Sequence, residues 1–354
     1  MMNNEFERVL AIETSCDDTS VAVVLKCGKV EAVCSANQDL AHEAFGGVVP
    51  EIASRNHTLN ILPLVEKALE KSGRQWPDIQ ALAVTSRPGL VGSLLVGLVT
   101  AKALAMAQNL PYIAINHIEG HLMAGFLRDE EYFPPQDFSF PFVGLAVSGG
   151  HSHLFLVKGV GEYQVLGQTV DDAAGEAFDK FAKMAGLGFP GGIQVDQRAK
   201  TGDSSRYRFP RAMLKEPHLN FSFSGLKTAA QNQLMKMTEE DRRTNINSLC
   251  ASYQEAIVEV LLTKLALAVK RTKVSRVLIT GGVSANSRLR EAAFEWGRKS
   301  EVLVVIPPLR YCTDNAAMIG YAGILRLNRG EQSEESLGPS PRSLPGDFLF
   351  PDQS

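Results

Sequence analysis

The sequence has few cysteines, and no two of them stand at the spacing of a zinc or redox pair. Its five cysteines, an odd number, are scattered over 354 residues, and none belongs to a Cys-x-x-Cys pair. This pattern argues against a disulfide framework and a cysteine-based zinc site, and it is typical of a reducing compartment.

Long hydrophobic runs are also missing. No stretch approaches the roughly 20 consecutive apolar residues of a membrane helix, although apolar residues make up 45% of the chain. The opening residues, MMNNEFERVLAIE, lack the basic, apolar and small-residue succession of a signal peptide. We therefore expect a cytoplasmic protein, long enough for two domains with sizeable cores.

Three common functional motifs are absent. The segment Gly225-Leu226-Lys227-Thr228 lacks the Gly-Lys-Thr run of a Walker sequence, and no G-x-G-x-x-G follows the first predicted strand. A zinc peptidase of the HExxH type needs glutamate directly after the first histidine, where this chain has Ile118. Glu119 would point about 200° around the helix from His117, so a peptidase is a poor interpretation.

The net charge of −3 gives no overall attraction to nucleic acid. A polyanion would need a local basic patch, and an ordinary solvated loop is the alternative interpretation of the one candidate. Its cations, interleaved with Tyr207 and Phe209, are Arg206, Arg208, Arg211 and Lys215, with Lys227 downstream.

Two segments of similar design predict β-hairpins. Residues Val9 to Val24 and Phe142 to Val157 each contain two apolar runs around a small polar turn. A third apolar run, Val277 to Thr280, leads into a Gly-Gly turn. The repeat of the hairpin about 134 positions later predicts a duplicated α/β fold.

We place the boundary between the two halves at the proline-rich loop around Pro134 and Pro135. The predicted lobes are residues 1–135, completed by a helix at 313–327, and residues 136–312. Residues 328–354, rich in Ser, Glu and Pro, are expected to form a loosely ordered tail from which Phe348 to Phe350 could dock back. Further helices are predicted at Leu59–Ser72, Gly92–Gln108, His117–Leu127, Asp172–Ala185 and Asn245–Arg271.

Glycine-rich turns after two apolar runs favour anion binding. Ser148-Gly149-Gly150 and Gly281-Gly282 can each present backbone N–H groups to a phosphate, because glycine has no Cβ to keep the anion away. One such turn alone is often only a turn. Two of them, with the polar tip at Thr14 to Thr19, predict nucleotide binding.

His117 and His121 are four residues apart at the start of a predicted helix, so both imidazoles lie on one helical face and can share a metal. Asp314, at the start of another predicted helix, is the best candidate for a third ligand. Histidines at this spacing are also found without a metal. Glu176 and Asp179 lie on one side of a third helix, where they could bind ribose or simply face solvent.

Ten segments, taken in order, resemble one family closely, the universal tRNA N6-adenosine threonylcarbamoyltransferases in their bacterial (TsaD) form, formerly labelled glycoproteases. The resemblance runs from about Val9 to Leu327. The segments are ETSCDDTSVAV, GGVVPEIASRNH, RPGLVGSLLVG, NHIEGH, VSGGHSHL, DDAAGEAFDKFAKMAGL, FPGG, FSFSGLKT, TGGVSANSRLR and YCTDNAAMIGYAG.

The resemblance implies a duplicated actin-like, sugar-kinase-like (ASKHA) α/β fold with two lobes and a central cleft. It implies transfer of a threonylcarbamoyl group from threonylcarbamoyl-AMP to N6 of adenosine 37, in tRNAs that read ANN codons. His117, His121 and Asp314 would bind the metal, iron or zinc. The residues that would contact the adenylate are Ala146, Val147, Ser148, Gly149, Gly150, Asp179, Gly192, Asp196 and Asn286.

The resemblance also implies partners besides tRNA. These are an inactive TsaB-like paralogue forming a heterodimer, a small TsaE-like P-loop ATPase, and a TsaC-like enzyme that makes the adenylate. No residue is assigned as the general base, and His151 and Glu13 are only candidates. A non-catalytic assembly subunit remains a third hypothesis beside the transferase and the peptidase.

Overall fold

The computed structural model describes residues 5–43, 45 and 47–342. The strands are β1 Arg8–Glu13, β2 Thr19–Leu25, β3 Val30–Ala36, β4 Ala81–Arg87, β5 Tyr112–Asn116, β6 Phe142–Val147, β7 Ser152–Gly159, β8 Glu162–Gln168, β9 Arg276–Thr280 and β10 Leu303–Val305. The α-helices are α1 Asp39–Glu43, α2 Pro50–Ser72, α3 Val91–Gln108, α4 His117–Met123, α5 Ala174–Met184, α6 Gly191–Ala199, α7 Ser224–Met235, α8 Glu239–Thr272, α9 Ser287–Ser300, α10 Leu309–Cys312 and α11 Ala316–Leu327.

The chain forms two compact units. The first contains Met1–Phe138, Gly159–Tyr163 and Pro307–Ser354, and the second contains Ser139–Lys158 and Gln164–Ile306. The chain has two five-stranded mixed sheets. The first, in the order β3-β2-β1-β4-β5, lies in the first unit, and the second, in the order β10-β9-β6-β7-β8, lies in the second unit except for the end of β7 and the start of β8.

The two sheets repeat one topology. In each, an antiparallel hairpin (β1–β2 or β6–β7) is followed by a parallel neighbour on the other side of its first strand, β4 or β9. The predicted hairpins and α/β class are therefore confirmed. The reason is local: two apolar runs joined by a short polar turn can pair with each other as antiparallel strands.

In the first unit, the two faces of the sheet are covered by different helices. Leu10, Ile12 and Val84 belong to one apolar cluster with α2 and α3 residues such as Val65 and Leu98. The opposite face carries α11. Alternate residues of each buried strand therefore enter opposite layers, as the two-residue period of a strand requires.

Glycines let α11 approach the sheet closely. A Cβ on Gly320 would stand 2.9 Å from Val24 and 3.1 Å from Ala11, and one on Gly323 would stand 2.5 Å from Ala83. These distances leave no room for a side chain, so the two glycines fix the depth at which α11 packs.

In the second unit, the 34-residue helix α8 carries the main aromatic contact with α5. Tyr253, fully buried, stacks on Phe181 with ring centroids 4.1 Å apart, and its hydroxyl donates to the carbonyl of Ala177 at 3.0 Å. Helix α6 also packs on α8. These contacts hold α5, which follows β8, in place.

Several helix bounds differ from the predictions. Helix α2 begins at Pro50, nine residues before the predicted start, because proline suits the first helical turn. Helix α8 begins at Glu239, where Thr238 and Asp241 form a capping box. Helix α4 ends at Met123, after which a short 3-10 helix covers Ala124–Phe126.

Residues 333–340 make specific contacts with the rest of the first unit, which differs from the loose tail expected there. The backbone of Ser333 donates to Tyr112, Lys102 donates to the carbonyls of Glu335 and Leu337, and Ser340 donates to Ser86. This stretch satisfies polar groups at β5, the edge strand of its sheet. Phe348 to Phe350 lie outside the described residues.

Among the described residues, α3 is long and apolar enough, by length and composition alone, to cross a membrane. Its inward side is buried, however, with Leu94, Leu98 and Ala101 at 1% exposure or less. Core helices meet the same length and composition criteria, so α3 is weak evidence for a membrane span.

Candidate metal centre and nucleotide-binding residues

The predicted metal ligands come together in the first unit. His117 is the first residue of α4, and His121 lies one turn later on the same helix. Asp314 lies between α10 and α11. Asp314 Oδ1 stands 3.3 Å from His117 Nε2 and 3.2 Å from His121 Nε2. One ligand atom from each residue lies within 4.8 Å of the other two.

The strand-to-helix junction at the end of β5 orients the histidines. The side chain of Asn116 caps α4 by accepting from the backbone N–H of Ile118 at 2.8 Å and of Glu119 at 3.4 Å. The cap fixes where the helix starts, and hence the direction in which His117 points. Both histidines are at least 95% buried.

Glu13, at the end of β1, supports His117 from behind. Its Oε2 lies 3.2 Å from His117 Nδ1, which is also 3.1 Å from Ser15 Oγ. The same carboxylate accepts from the backbone N–H of Ser15 and from the hydroxyl of Thr85. A carboxylate on Nδ1 favours the tautomer whose Nε2 is free to bind a metal.

The electrostatics of the cluster favour a cation. Burial alone would lower the pKa of His117, but the carboxylates of Asp314 and Glu13 raise it well above its usual value. Burial would raise the pKa of Asp314, yet His117 and His121 hold it well below its usual range. Burial lowers the pKa of His121, favouring the neutral ring that ligates metals.

The donor set fits a metal ion. Two imidazole nitrogens and one carboxylate oxygen are ligands of zinc and of non-haem iron. Oxygen-to-nitrogen separations of 3.2 and 3.3 Å match the roughly 3.3 Å that bonds of about 2.0–2.1 Å give at a tetrahedral centre. The cluster is therefore compatible with a bound metal.

In the second unit, the predicted phosphate-binding turn directly follows β6. Ala146 and Val147 are the last two residues of that strand, and the Ser148 N–H donates to the carbonyl of His151 at 2.7 Å to close the turn. Gly149 and Gly150 are exposed. Among the described residues, no atom lies within 4 Å of a Cβ built on either glycine.

Two other glycines pack against the base of this turn. A Cβ on Gly175 would stand 2.6 Å from the Ser148 carbonyl oxygen, and one on Gly281, which has φ +89°, would stand 2.3 Å from that of Val147. The start of α5 and the Gly281-Gly282 turn therefore both meet the Ser148 turn, so the structure brings the two predicted Gly-rich turns together.

The remaining predicted contact residues form two local groups. Asp179 Oδ1 accepts from the backbone N–H of Gly191 at 2.8 Å, which places it beside Gly192. Asp196 Oδ1 accepts from both the N–H and the hydroxyl of Ser287, the residue after Asn286. The 3-10 helix Gly282–Ala285 joins the Asn286 group to the Gly281 turn.

Asn286 also makes hydrogen bonds that stabilise the fold. Its Oδ1 caps α9 by accepting from Leu289 N–H at 3.0 Å, and its Nδ2 donates to Gln254 Oε1 at 2.7 Å. Ser287 and Gln254 also line a cavity of about 510 Å³ between α6, α8 and α9. Sequence reasoning missed Gln254, because nothing in its local pattern marks a partner 32 residues away.

The backbone at the start of the predicted basic segment is hydrogen-bonded to α8. Backbone N–H groups of Asp203 and Tyr207 donate to the hydroxyls of Ser248 and Ser252. Two of its predicted cations are engaged in ion pairs, Arg211 with Glu259 and Lys227 with Asp172. Three others are exposed and make no ion pair with the described residues: Arg206, Arg208 and Lys215.

Comparison with known proteins assigns the family. Residues 29–321 match the family described as TsaD, tRNA N6-adenosine threonylcarbamoyltransferase. The chain belongs to the TsaD family. A curated relative of that name from Bdellovibrio bacteriovorus is 59% identical over 342 residues, covering 97% of this chain and 99% of its own. Another, from Anaeromyxobacter dehalogenans, is 50% identical over 335 residues, covering 94% and 98%.

Solved structures agree on the fold. Full-length HypF resembles this chain with a TM-score of 0.61 at 12% identity, over 92% of this chain and 47% of HypF. Component A of the Acidaminococcus fermentans (R)-2-hydroxyglutaryl-CoA dehydratase gives 0.52 at 13%, over 90% and 98%. The duplicated, actin-like α/β fold is thereby confirmed.

Family membership decides among the three functional hypotheses. The chain is an enzyme, a tRNA-modifying transferase that forms N6-threonylcarbamoyladenosine. The peptidase and the non-catalytic subunit are not supported. Glu119, whose position had argued against a peptidase, is held by Arg326 and Tyr163.

Proposed function

We propose that this member of the TsaD family transfers the threonylcarbamoyl group of threonylcarbamoyl-AMP to N6 of adenosine 37, in tRNAs that read ANN codons. The observation that carries the proposal is the cluster of the buried His117 and His121 with the half-buried Asp314, whose ligand atoms lie within 4.8 Å of one another. These residues would hold one divalent metal ion, iron or zinc.

The reaction exchanges one bond for another at the carbamoyl carbon. The adenine amine attacks this carbon, a C–N bond forms, the C–O bond to the phosphate breaks, and AMP leaves with the electron pair while N6 loses a proton. A bound metal would supply Lewis-acid polarisation or charge stabilisation. Because an adenine amine is a weak nucleophile, orientation must supply much of the rate. The general base stays unassigned.

The second unit would hold the adenylate. Residues Ala146 to Gly150 would present backbone N–H groups to the phosphate, since Gly149 and Gly150 leave open space around the turn. Asp179, Gly192, Asp196 and Asn286 would contact the nucleoside. The carboxylates suit ribose hydroxyls, which donate hydrogen bonds.

The tRNA would contact the docked basic segment of the second unit. Arg206, Arg208 and Lys215 are exposed cations on a backbone that α8 holds in place. Lys and Arg side chains in such a position bind phosphates, and Tyr207 offers a ring for stacking. The chain's net charge of −3 makes a local patch necessary.

A TsaB-like paralogue would dock on α2 and α3 to form a heterodimer. These helices pack side by side and carry exposed apolar residues at helical spacing. Soluble proteins rarely expose large apolar patches unless the patch is a binding surface. The residues are Leu59, Leu62, Val91, Leu95, Val99 and Met106, each at least 47% exposed. A TsaE-like ATPase and a TsaC-like adenylate-forming enzyme would complete a cytoplasmic system.

The partner proposal is tested by size-exclusion chromatography of the chain mixed with the paralogue. Co-elution of the wild type and separate elution of Leu95→Glu/Val99→Glu would support the proposed face. Leu309→Glu, an exposed leucine elsewhere in the first unit, is the matched control. Separate elution of the wild type and the paralogue would refute the heterodimer.

The function is tested by incubating the chain with tRNA, threonine, ATP, bicarbonate and its proposed partners, and detecting the modified nucleoside by mass spectrometry. We expect product from the wild type and none from His117→Ala or Asp314→Ala, with bound metal measured in parallel. His218→Ala, a histidine outside the cluster, is the control. Full activity of folded Asp314→Ala would refute the metal assignment.

A further inference from the structure

The two elements that supply the proposed metal ligands are joined by a buried ion pair on the side away from the ligands. Glu119 lies on α4, between His117 and His121 in sequence, and Arg326 lies near the end of α11, the helix that follows Asp314. Both side chains are 3% exposed. They are 207 residues apart in the chain.

The pair has two parallel hydrogen bonds and a third partner. Arg326 Nε donates to Glu119 Oε1 at 2.7 Å, and Nη2 donates to Oε2 at 3.1 Å. The Tyr163 hydroxyl donates to Oε1 at 2.7 Å, and Arg326 Nη1 donates to Glu331 Oε2 at 2.9 Å. Two-point contact between a guanidinium and a carboxylate fixes orientation as well as distance.

The neighbouring glycine brings the helices into direct contact. A Cβ on Gly120 would stand 2.7 Å from Ile319 and 3.1 Å from Met318, both on α11. Helix α4 therefore cannot move towards α11, and the Glu119–Arg326 pair keeps it from rotating or sliding away. Glu119 is two residues from each histidine, about 200° around the helix, so the helix is held from behind the ligands.

Stability alone does not account for this pair. Removing two charges from water costs several kcal/mol per ion, and replacing such a pair by apolar side chains is often neutral or stabilising. What an apolar replacement would not provide is a fixed angle between α4 and α11. The ligand nitrogens of α4 and the carboxylate before α11 must stay about 3.3 Å apart for a metal to bridge them.

We propose that Glu119 and Arg326 are positioning residues that set the affinity and geometry of the metal centre, with Tyr163 as their third member. This inference rests on the proposed function, because it takes the His117, His121 and Asp314 cluster as the metal site. The pair does not touch the metal or the substrate. It acts through the position of α4 relative to α11.

The test measures metal binding without any catalytic readout. Zn²⁺ affinity is obtained by competition with a chromophoric chelator, and the visible spectrum of the Co²⁺-loaded protein reports ligand geometry. The variants are Glu119→Gln, Arg326→Lys and the milder Tyr163→Phe, each checked for folding by circular dichroism. The matched control is Glu31→Gln, which breaks another partly buried carboxylate–arginine cluster in the first unit.

We expect Zn²⁺ affinity to fall at least about tenfold in Glu119→Gln and Arg326→Lys, in the range seen when groups behind metal ligands are removed. Tyr163→Phe should weaken it about two- to fivefold. The Co²⁺ spectrum should shift in the first two variants. Glu31→Gln should lose stability and keep the wild-type affinity and spectrum.

Wild-type affinity and an unchanged Co²⁺ spectrum in folded Glu119→Gln would overturn the inference and leave the metal site standing. If Glu119→Gln does not fold, the same outcome in Tyr163→Phe and Arg326→Lys overturns it. If the wild type binds neither Zn²⁺ nor Co²⁺, the proposed metal centre itself falls, and the inference falls with it. An equal loss of affinity in Glu31→Gln would mean a general stability effect and would also overturn it.

Discussion

The tips of the two hairpins have the same place in their sheets and opposite chemistry. In the first unit, the tip after β1 is packed with buried polar side chains: Glu13 and Thr14 are fully buried, and Ser15 is 3% exposed. In the second unit, the tip after β6 exposes the backbone of Gly149 and Gly150. The first tip is therefore closed by buried side chains, whereas the second leaves the backbone of its glycines accessible.

The difference teaches that equivalent turns of a duplicated scaffold can be built in opposite ways, one closely packed and one open. Next to the first tip, glycine is required because any side chain would clash: a Cβ on Gly97 would stand 2.2 Å from Thr14 Oγ1. At the second tip, Gly149 and Gly150 border open space. The same residue type is therefore required for packing in one unit and is proposed to serve a ligand in the other.

The substitution with the largest expected effect, Gly89→Ala, disrupts the packed tip of the first unit. A Cβ on Gly89 would stand 2.4 Å from the carbonyl oxygen of Ser15, so Gly89→Ala must displace backbone. We expect the free energy of unfolding of the first unit to fall by about 2–3 kcal/mol. Denaturant titration followed by Trp76 fluorescence, in a Trp296→Phe background, reports that unit, because the chain has two tryptophans.

Gly338→Ala is the control for this experiment, since the described residues leave open space around its Cβ in the same unit. Equal stability of Gly89→Ala and Gly338→Ala would contradict the packed character of the first tip.

The next effect concerns the open tip. Gly150→Ala should change the free energy of unfolding by less than about 0.5 kcal/mol, because its Cβ meets no described atom within 4 Å. The methyl group should nevertheless hold the phosphate away from the turn, so kcat/KM should fall about tenfold, the value of one hydrogen bond to a charged group. Gly225→Ala, equally open in the same unit, should leave kcat/KM unchanged; if Gly150→Ala does too, the phosphate assignment is wrong.

A smaller effect is expected for tRNA binding, which we propose depends on exposed cations of the second unit. Arg206→Gln/Arg208→Gln should weaken tRNA binding about fivefold near physiological salt and lower the salt dependence by about two phosphate contacts. Filter binding at several salt concentrations measures both. Arg298→Gln/Lys299→Gln changes the charge equally on exposed residues of α9; the same loss in this control would show a non-specific charge effect.

The smallest expected effect contrasts the buried His117 with the half-buried His153. His117 faces two carboxylates, whereas burial lowers the pKa of His153 on β7 to about 4, with its Nδ1 unpaired among the described residues. The unfolded chain, with a histidine pKa of about 6.5, binds more protons below neutral pH, so His153 lowers stability as pH falls. Between about pH 7.5 and 6 the loss should be about 0.8 kcal/mol.

This pH dependence is measured by denaturant titration of the second unit, followed by Trp296 fluorescence in a Trp76→Phe background. His153→Phe should remove that part of the pH dependence. An identical slope in wild type and His153→Phe would assign it to other groups.

Much of the fold could be predicted because the signals are local. The hairpins follow from apolar runs around short polar turns, and α3 and α11 from uninterrupted helical patterns. The early start of α2 was missed because Val49 caps it without a side-chain hydrogen bond. The contacts of residues 333–340 were missed because their composition resembles a solvated tail, while the edge of β5 that receives them is remote in sequence.

For the site, the sequence by itself determined which groups are available. Four-residue spacing puts His117 and His121 on one helical face, and glycines after a strand leave backbone N–H groups accessible. Only the tertiary structure decided that Asp314 stands 193 residues away within 3.2 Å of His121, and that Glu119 turns to Arg326. Local spacing fixes directions around a helix axis, whereas the meeting of distant segments depends on how α4, α11 and the first sheet pack together.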